Sequence, residues 1–542
     1  MTEPKTTRKK TTRKTTRRTK KAESPTTLKS FNPRTGEVMR EIPANSPAEV
    51  ADIVATARKV APEWGAIPVE GRVHMMREVR HNIYRLQDKL VDIISKETGK
   101  TAFESLSLDV MGALIMFYSF EKIAPRALRT KRFGIFEAPF LPKAMFGLDS
   151  RVEYRPLGVV GCITPWNYPL WNTFAASVPA LFAGNAIVIK PSEVTPGVGE
   201  MLKEIFDPLP AGVVSVVQGG GDIGAALVDA PCDKISFIGS AATGRKICGA
   251  AAKHLTPTVM ELGGADAAIV LDDANIDYVT SGTLYSAFFN CGQTCASLER
   301  IYVSDKIADE FRESFAAKLK QVNDEDHLGS LTFKPQLEIV TRHVEDALAK
   351  GATLVGGGLE VGKDNSNGTL WFPATALENV TEDMEVLTNE SFGPLVTISR
   401  FSDDDEAIRR ANTEAVNLTA SVWSKDTERA NRVGAQLKAG VVSINNHGVN
   451  AGAAWAPWGG VGESGFGRLN GEWGLREFTA PTHVARPTLG QLKQPFWYPY
   501  DEPSKKTIIG VNKLLGSSNT GERIQGFIEA LSNMGKAMKN KL

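Results

Sequence analysis

The segment FFNCGQTCASLER (288–300) holds two of the chain's five cysteines, four positions apart. On a helix that spacing puts both thiols on one face. A C-x3-C pair with no second pair does not complete a four-ligand zinc site, so no metal centre is expected. An odd number of cysteines in a long chain is not a disulfide framework, and it suits a reducing, cytoplasmic setting. Cys291 follows Phe288 and Phe289, which reads as packing, whereas Cys295 follows Gly292 and Gln293. A glycine lets a substrate or cofactor approach the backbone closely. Spacing alone leaves Cys295 open between an inert buried thiol and a nucleophile.

Three further stretches suit phosphates and ribose. GGGDIG (219–224), containing Gly221 and Gly224, fits G-x-G-x-x-G between a strand pattern and a helix pattern. In so glycine-rich a run the match is weak by itself. In GSAATG (239–244), Gly239 ends a strand pattern and Ser240 opens a helix. The free N–H groups of that helix start, with the Ser240 hydroxyl, could receive a phosphate oxygen. Two such turns in neighbouring βα units point to a dinucleotide. IKPSE (189–193) places Lys190 and Glu193 at the carboxyl end of a strand pattern. A carboxylate there suits a ribose diol and repels an added phosphate, which favours NAD over NADP.

The elements that must carry these residues alternate. AIVIKPSE, GVVSVVQG, KISFIG and TVMELGG read as strands, with helical patterns between them. Repeated βαβ units argue for a doubly wound parallel sheet. A second α/β region begins with DAAIVL and continues through RIYVS, LVTISRF, LTASVWS and GVVSINN. Ahead of both, Ser46 and Pro47 suit the start of a helix, and Gly99 the end of another.

The chain resembles the NAD(P)-dependent aldehyde dehydrogenases from about residue 30 to 485. The resemblance rests on seven motifs in order: ITPWNYPL (163–170), KPSE (190–193), FIGSAATGRKI (237–247), MELGG (260–264), FFNCGQTC (288–295), ESFGP (390–394) and PWGGVGESGFGR (457–468). Its fine pattern is most similar to the bacterial branch of succinate-semialdehyde dehydrogenases. The resemblance implies that Cys295 is the nucleophile, that Asn167 and the Cys295 amide hold the oxyanion, and that Glu261 is the general base. It implies cofactor contacts from Ile163, Thr164, Pro165 and Trp166, from Lys190, Ser192 and Glu193, and from Ser240 and Leu262. Glu390 would hold the nicotinamide ribose, with Phe392 beside it. The family usually has Lys after ELGG, where this chain has Ala265 and Asp266. Trp171, Phe289, Thr294, Ala296 and the loop 445–458, with His447, are expected around the substrate tunnel. That loop shows no obvious arginine for a carboxylate-bearing aldehyde, which favours an apolar or aromatic one. The alternatives are a succinate-semialdehyde dehydrogenase and, in another class, an inactive tethered scaffold.

The expected fold is α/β and aldehyde dehydrogenase-like. The basic tail 1–27 is read as disordered. An NAD-binding domain spans 28–144 and 156–261, and a catalytic domain 262–460. Strands 145–155 and 478–486 form an oligomerisation element implying a homodimer or homotetramer. An amphipathic extension covers 487–542. The tail has ten Lys or Arg between 5 and 21 and carries about +9, so the rest of the chain sums to about −8. It lacks the interleaved aromatics of base stacking, so no specific nucleic acid is predicted. No run of 18 apolar residues occurs, and neither a transmembrane helix nor a secretory leader is expected. In the extension, PFWYPY (495–500) and the face formed by Ile524, Phe527, Ile528, Leu531, Met534 and Met538 suit packing on a protein surface or a peripheral membrane contact.

Overall fold

The computed structural model describes residues 27–133, 148–323, 327–359, 368–413, 416–487, 493–539 and 541–542. The basic segment 1–26 lies outside them, as do residues 145–147 of the first expected oligomerisation strand. Thr27, read from sequence as the end of the tail, begins the strand Thr27–Phe31.

The chain builds two sheets of mostly parallel strands. In the first, the spatial order is Gly465–Phe466, Thr258–Leu262, Lys234–Gly239, Val159–Ile163, Ala186–Lys190, Val214–Val216. Only Gly465–Phe466 pairs antiparallel. Val159–Ile163 and Ala186–Lys190 are buried at every position, as strands covered on both faces must be. The chain order reverses direction around Val159–Ile163. A crevice at the carboxyl ends of the strands is expected at such a switch point.

The second sheet has seven strands, ordered Thr353–Gly356, Thr375–Glu378, Leu395–Phe401, Leu298–Ser304, Asp266–Val270, Thr419–Trp423, Val441–Ile444. Leu262, next to Glu261, ends a strand of the first sheet and Asp266 opens a strand of the second, so the short link 263–265 joins the sheets. A third, antiparallel sheet pairs Thr479–Pro487 with Leu148–Pro156 and adds Lys131–Arg132.

Local signals explain the helix ends. Ser46 and Glu49 form a reciprocal capping box ahead of Pro47–Ala66, satisfying two amides that the first turn leaves orphaned. Gly99 takes the left-handed region (φ 78°) after Gln87–Thr98. The helical stretch Ala102–Ala127 is long and apolar enough to cross a membrane. Its Val110, Met116, Phe117 and Phe120 are buried in the core beneath the first sheet, and that burial accounts for its composition.

Candidate active site

The helix Ile276–Phe288 delivers the chain to Cys295 through an unusual turn. Asn290 (φ 53°), Cys291 (φ 57°) and Gly292 (φ 68°) are successive left-handed residues. Each residue with a Cβ costs about 1–2 kcal/mol there. Hydrogen bonds offset that cost. Glu104 Oε1 accepts the Asn290 amide at 2.7 Å, and Asn290 Nδ2 donates to the carbonyls of Asn167 at 3.0 Å and Gln293 at 3.1 Å. A Cβ on Gly292 would lie 2.0 Å from the Gly393 carbonyl oxygen, so only glycine fits.

This turn separates the two cysteines that helical spacing would have aligned. Cys291 is buried with Phe288 and Leu331 under the second sheet. Cys295 is partly exposed and packs by Ala296, Leu418 and Trp458. All five cysteines are free thiols. No group of three or more His, Cys, Asp or Glu that could hold a metal occurs among the described residues.

Cys295 and Glu261 share a cavity with Trp171, Ala451 and Trp458. Burial pushes the Cys295 thiol upward, and the charges of Glu261, Asp266 and Glu390 push it further. Burial also raises Glu261 to about 8, against the lowering influence of Trp458, Arg468 and the Gly460 amide. Glu261 Oε1 is buried and has no hydrogen-bond partner among the described residues, which suits an acceptor facing a reacting group. Asn167 is held in one orientation: its Oδ1 accepts from Asn172 Nδ2 at 3.0 Å and its Nδ2 donates to the Gln293 carbonyl at 3.0 Å. An amide nitrogen has two hydrogens, so one is left for an oxyanion.

A cleft of about 760 Å³ opens from these residues along the first sheet. Every cofactor residue expected from the sequence lines it except Ser192. The Ser192 hydroxyl instead accepts the Val194 amide at 3.2 Å inside its own turn. Lys190 Nζ meets Glu193 Oε2 at 2.6 Å. The Ser240 side chain caps the helix Ala241–Ala251. A Cβ on Gly221 would meet nothing within 4 Å, and one on Gly224 only Ile163 at 4.0 Å. Open glycines, a helix start and a Lys–Glu pair along one cleft fit a dinucleotide.

Glu390 is half-buried in this cleft, where desolvation and then the charge of Glu299 raise it to about 8. Its Oε1 accepts the Gly264 amide at 3.2 Å, and a Cβ on Gly263 would overlap its Oε2 at 2.1 Å. Phe392 (φ 47°) sets its ring edge-on to Trp166 at 5.6 Å.

Several residues that shape the site were not among those expected. Glu299 accepts the amides of Ser391 and Phe392 at 3.0 Å each and so fixes the segment bearing Glu390. Phe333 packs edge-on to Trp166 at 4.9 Å. Asp266 accepts from the amides of Leu418 and Thr419 and from the Thr419 hydroxyl. His447, expected near the tunnel, is instead buried; its Nε2 lies 3.1 Å from the Thr419 hydroxyl and 3.1 Å from the Ala296 carbonyl. Burial lowers His447 to about 4, so it is a neutral prop for the backbone after Cys295. Thr294 likewise faces inward, 2.6 Å from the Tyr168 hydroxyl.

Comparison with known proteins agrees with this geometry. The model of the aldehyde dehydrogenase family matches residues 19–484. A 4,4'-diapolycopene aldehyde oxidase of Methylomonas sp is 37% identical over 491 residues, covering 90% of each chain. A Mycobacterium tuberculosis protein, provisionally named an NADP(+) succinate-semialdehyde dehydrogenase, is 34% identical over 86% of this chain and 89% of its own. The solved betaine aldehyde dehydrogenase of Staphylococcus aureus in complex with NAD+ superimposes with a TM-score of 0.80 at 30% identity, covering 86% of this chain and 95% of that one.

Proposed function

The chain belongs to the aldehyde dehydrogenase family, and from that premise we propose that it oxidises an apolar or aromatic aldehyde to the carboxylic acid, with NAD preferred. The observation that carries the substrate class is the cavity at Cys295. Trp171, Ala175, Ile238, Ala451, Trp458 and Leu469 supply its apolar wall, and no Lys or Arg lines it among the described residues. The loop carrying Ala451 and Trp458 exposes Trp455, and Gly112, next to the exposed Met111, lies against the Trp171 ring. This wall suits an apolar group next to the aldehyde carbon. A carboxylate on the substrate would meet no cation there, only the amides of Asn172 and Asn470, beside the carboxyl of Glu261. The Methylomonas relative, named for the aldehyde of a hydrocarbon, supports the same reading.

In this reading Cys295 gives its proton to Glu261, which passes it to solvent, and the thiolate attacks the aldehyde carbon to form a tetrahedral thiohemiacetal anion. Asn167 Nδ2 and the Cys295 amide donate to its oxyanion. A nicotinamide held in the cleft beside Trp166, Glu390 and Phe392 would supply the hydride acceptor. Loss of hydride leaves a thioester on Cys295. Glu261 then takes a proton from water, which hydrolyses the thioester and releases the acid and the thiol. Glu193 beside Lys190 favours NAD, because its carboxylate would face a 2′-phosphate. The free thiols support a reducing, cytoplasmic setting. The antiparallel pairing of Thr479–Pro487 with Leu148–Pro156 leaves a sheet edge that supports assembly into dimers or tetramers.

The names of the mycobacterial relatives favour a second reading, oxidation of succinate semialdehyde. Steady-state kinetics with long-chain, aromatic and succinate semialdehydes decides between them. We expect kcat/KM to favour the apolar aldehydes by about a hundredfold, the scale on which a fitted pocket discriminates. The reverse preference replaces our reading with the second. A Cys295→Ala variant with undiminished turnover would sink the mechanism, and an inert wild type would restore the scaffold reading.

A further inference from the structure

We propose that the C-terminal helical hairpin is a membrane-surface anchor that lays its outer face on an anionic lipid bilayer. The proposal is independent of which aldehyde the active site takes. The hairpin pairs Glu502–Gly516 with Thr520–Lys539. Ser504, Thr507, Gly510 and Val511 are buried from the first helix, and Gly526, Ala530 and Ala537 from the second. A Cβ on Gly510 would lie 2.5 Å from the Ala530 nitrogen, and one on Gly526 would lie 2.5 Å from the Gly510 carbonyl oxygen. The two backbones therefore touch, and no large side chain fits between them.

The large apolar side chains are turned outward as a result. Ile524, Phe527, Ile528 and Leu531 share one stripe of the second helix and are all exposed, Ile528 at 60% and Leu531 at 61%. Ile508 and Leu515 are exposed on the first helix. In water, a helix pair gains stability by hiding such residues, and a contiguous exposed set marks a contact surface. Small residues inside and large ones outside is the arrangement helices adopt where the surroundings are themselves apolar. Neither helix meets the length and hydropathy needed to span a bilayer, so the fit is to the interface, lying flat.

Two observations favour lipid over a second protein copy. Trp497, Tyr498 and Tyr500 are exposed beside the hairpin's end. The final turn ties them there, because the Leu542 amide donates to the Tyr498 carbonyl at 2.9 Å and Lys541 Nζ to the Pro499 carbonyl at 2.6 Å. Amphipathic rings of this kind partition to the headgroup layer. Residues 493–542 also carry eight Lys or Arg against four Asp or Glu. Lys506, Lys536 and Lys539 are exposed, while the hairpin's ion pairs among the described residues use Lys505, Lys513 and Lys541. A second hairpin would bring the same positive charge face to face, whereas anionic headgroups neutralise it.

The test is co-sedimentation of the full chain with vesicles of phosphatidylcholine containing phosphatidylglycerol, at low and high salt. The comparison protein is the full-length Phe527→Gln/Ile528→Gln/Leu531→Gln variant. These side chains are exposed and remote from the chemistry, so the variant keeps its kcat on a soluble aldehyde, which also verifies its folding. We expect the wild type to bind and the variant to bind at least about tenfold more weakly, with the difference surviving high salt because it is apolar. Equal binding of the two assigns attachment to the basic segment 1–21 and overturns the proposal. Failure of the wild type to bind also overturns it. So does a wild-type assembly that the variant dissociates without vesicles, which would make a second copy the occupant.

Discussion

Lys100 and Asp109 form an ion pair of 2.7 Å with neither side chain exposed. The same ammonium donates to the Asn167 carbonyl at 2.8 Å and stands 4.1 Å from the centre of the Tyr168 ring. Asp109, in a π-helical turn at Ser105–Val110, accepts the amides of Leu170 and Trp171 at 3.2 Å each. The loop carrying Asn167 is thereby clamped from below. Asn290 clamps it from the nucleophile's side.

This pair predicts a separation of stability from activity. Lys100→Met leaves a buried carboxylate uncompensated, a loss of about 3–5 kcal/mol. Lys100→Met/Asp109→Asn removes the charge and keeps an acceptor for Leu170 and Trp171, so thermal unfolding should recover most of the loss. The double variant still lacks the donor to Asn167, and kcat should stay about ten- to a hundredfold down. Recovery of kcat together with Tm would show that the pair is structural only.

The raised carboxyl of Glu261 predicts an alkaline rate profile. With its midpoint at about 8, it is mostly protonated at neutral pH and cannot accept a proton from water. Thioester hydrolysis should rise about tenfold per pH unit below that midpoint and level off above it. Single-turnover rates of acid release across pH measure this directly. Glu261→Gln should lose about a hundredfold or more in that step and its pH dependence with it. An unchanged profile in the variant would move the base role to another group, with Glu390 next in line.

The two cysteines should respond to alkylation in opposite ways. Burial raises both thiols, so access separates them: Cys291 is 1% exposed in the core, whereas Cys295 is partly exposed. Iodoacetamide should therefore label Cys295, read by peptide mass, with inactivation tracking that one adduct. Cys291→Ala should retain activity within a few-fold at a cost near 1 kcal/mol, since a small buried side chain is truncated slightly further. Labelling of Cys291 in the folded protein would contradict the assignment.

Motifs of residue type were legible in the sequence, and supports acting across the fold were not. GSAATG, KPSE and MELGG announced their places because helix starts and strand ends have local signatures. Only Ser192 of the expected cofactor residues turned away, satisfied by its own turn. Glu299 and Asp266 had no such signature. Each is a single carboxylate in a buried strand, and each acquires meaning from amides about 90 and 150 positions away. His447 was misplaced for the same reason: composition suggested a tunnel residue, but its partners Thr419 and Ala296 are brought to it by the second sheet. In the extension, the apolar periodicity identified the outward stripe on the second helix. Gly510 and Gly526, which decide that it faces outward, read in sequence only as weak helix formers.

The proposed preference for NAD rests on Glu193, whose side chain is 44% exposed and meets Lys190 at 2.6 Å. A carboxylate accepts from both ribose hydroxyls, and a phosphate on one of them would face it with like charge. Glu193→Ser removes that repulsion and frees Lys190 to pair with the phosphate. We expect kcat/KM with NADP to rise about tenfold. With NAD it should fall about tenfold, as expected on losing charge-assisted hydrogen bonds. Initial rates with each cofactor at a saturating aldehyde concentration test both directions, and titration calorimetry of each cofactor separates binding from turnover. A wild type that already prefers NADP, as the name of the mycobacterial relative specifies for that protein, would mean that Glu193 swings out toward solvent when the phosphate enters, and the preference for NAD would be withdrawn.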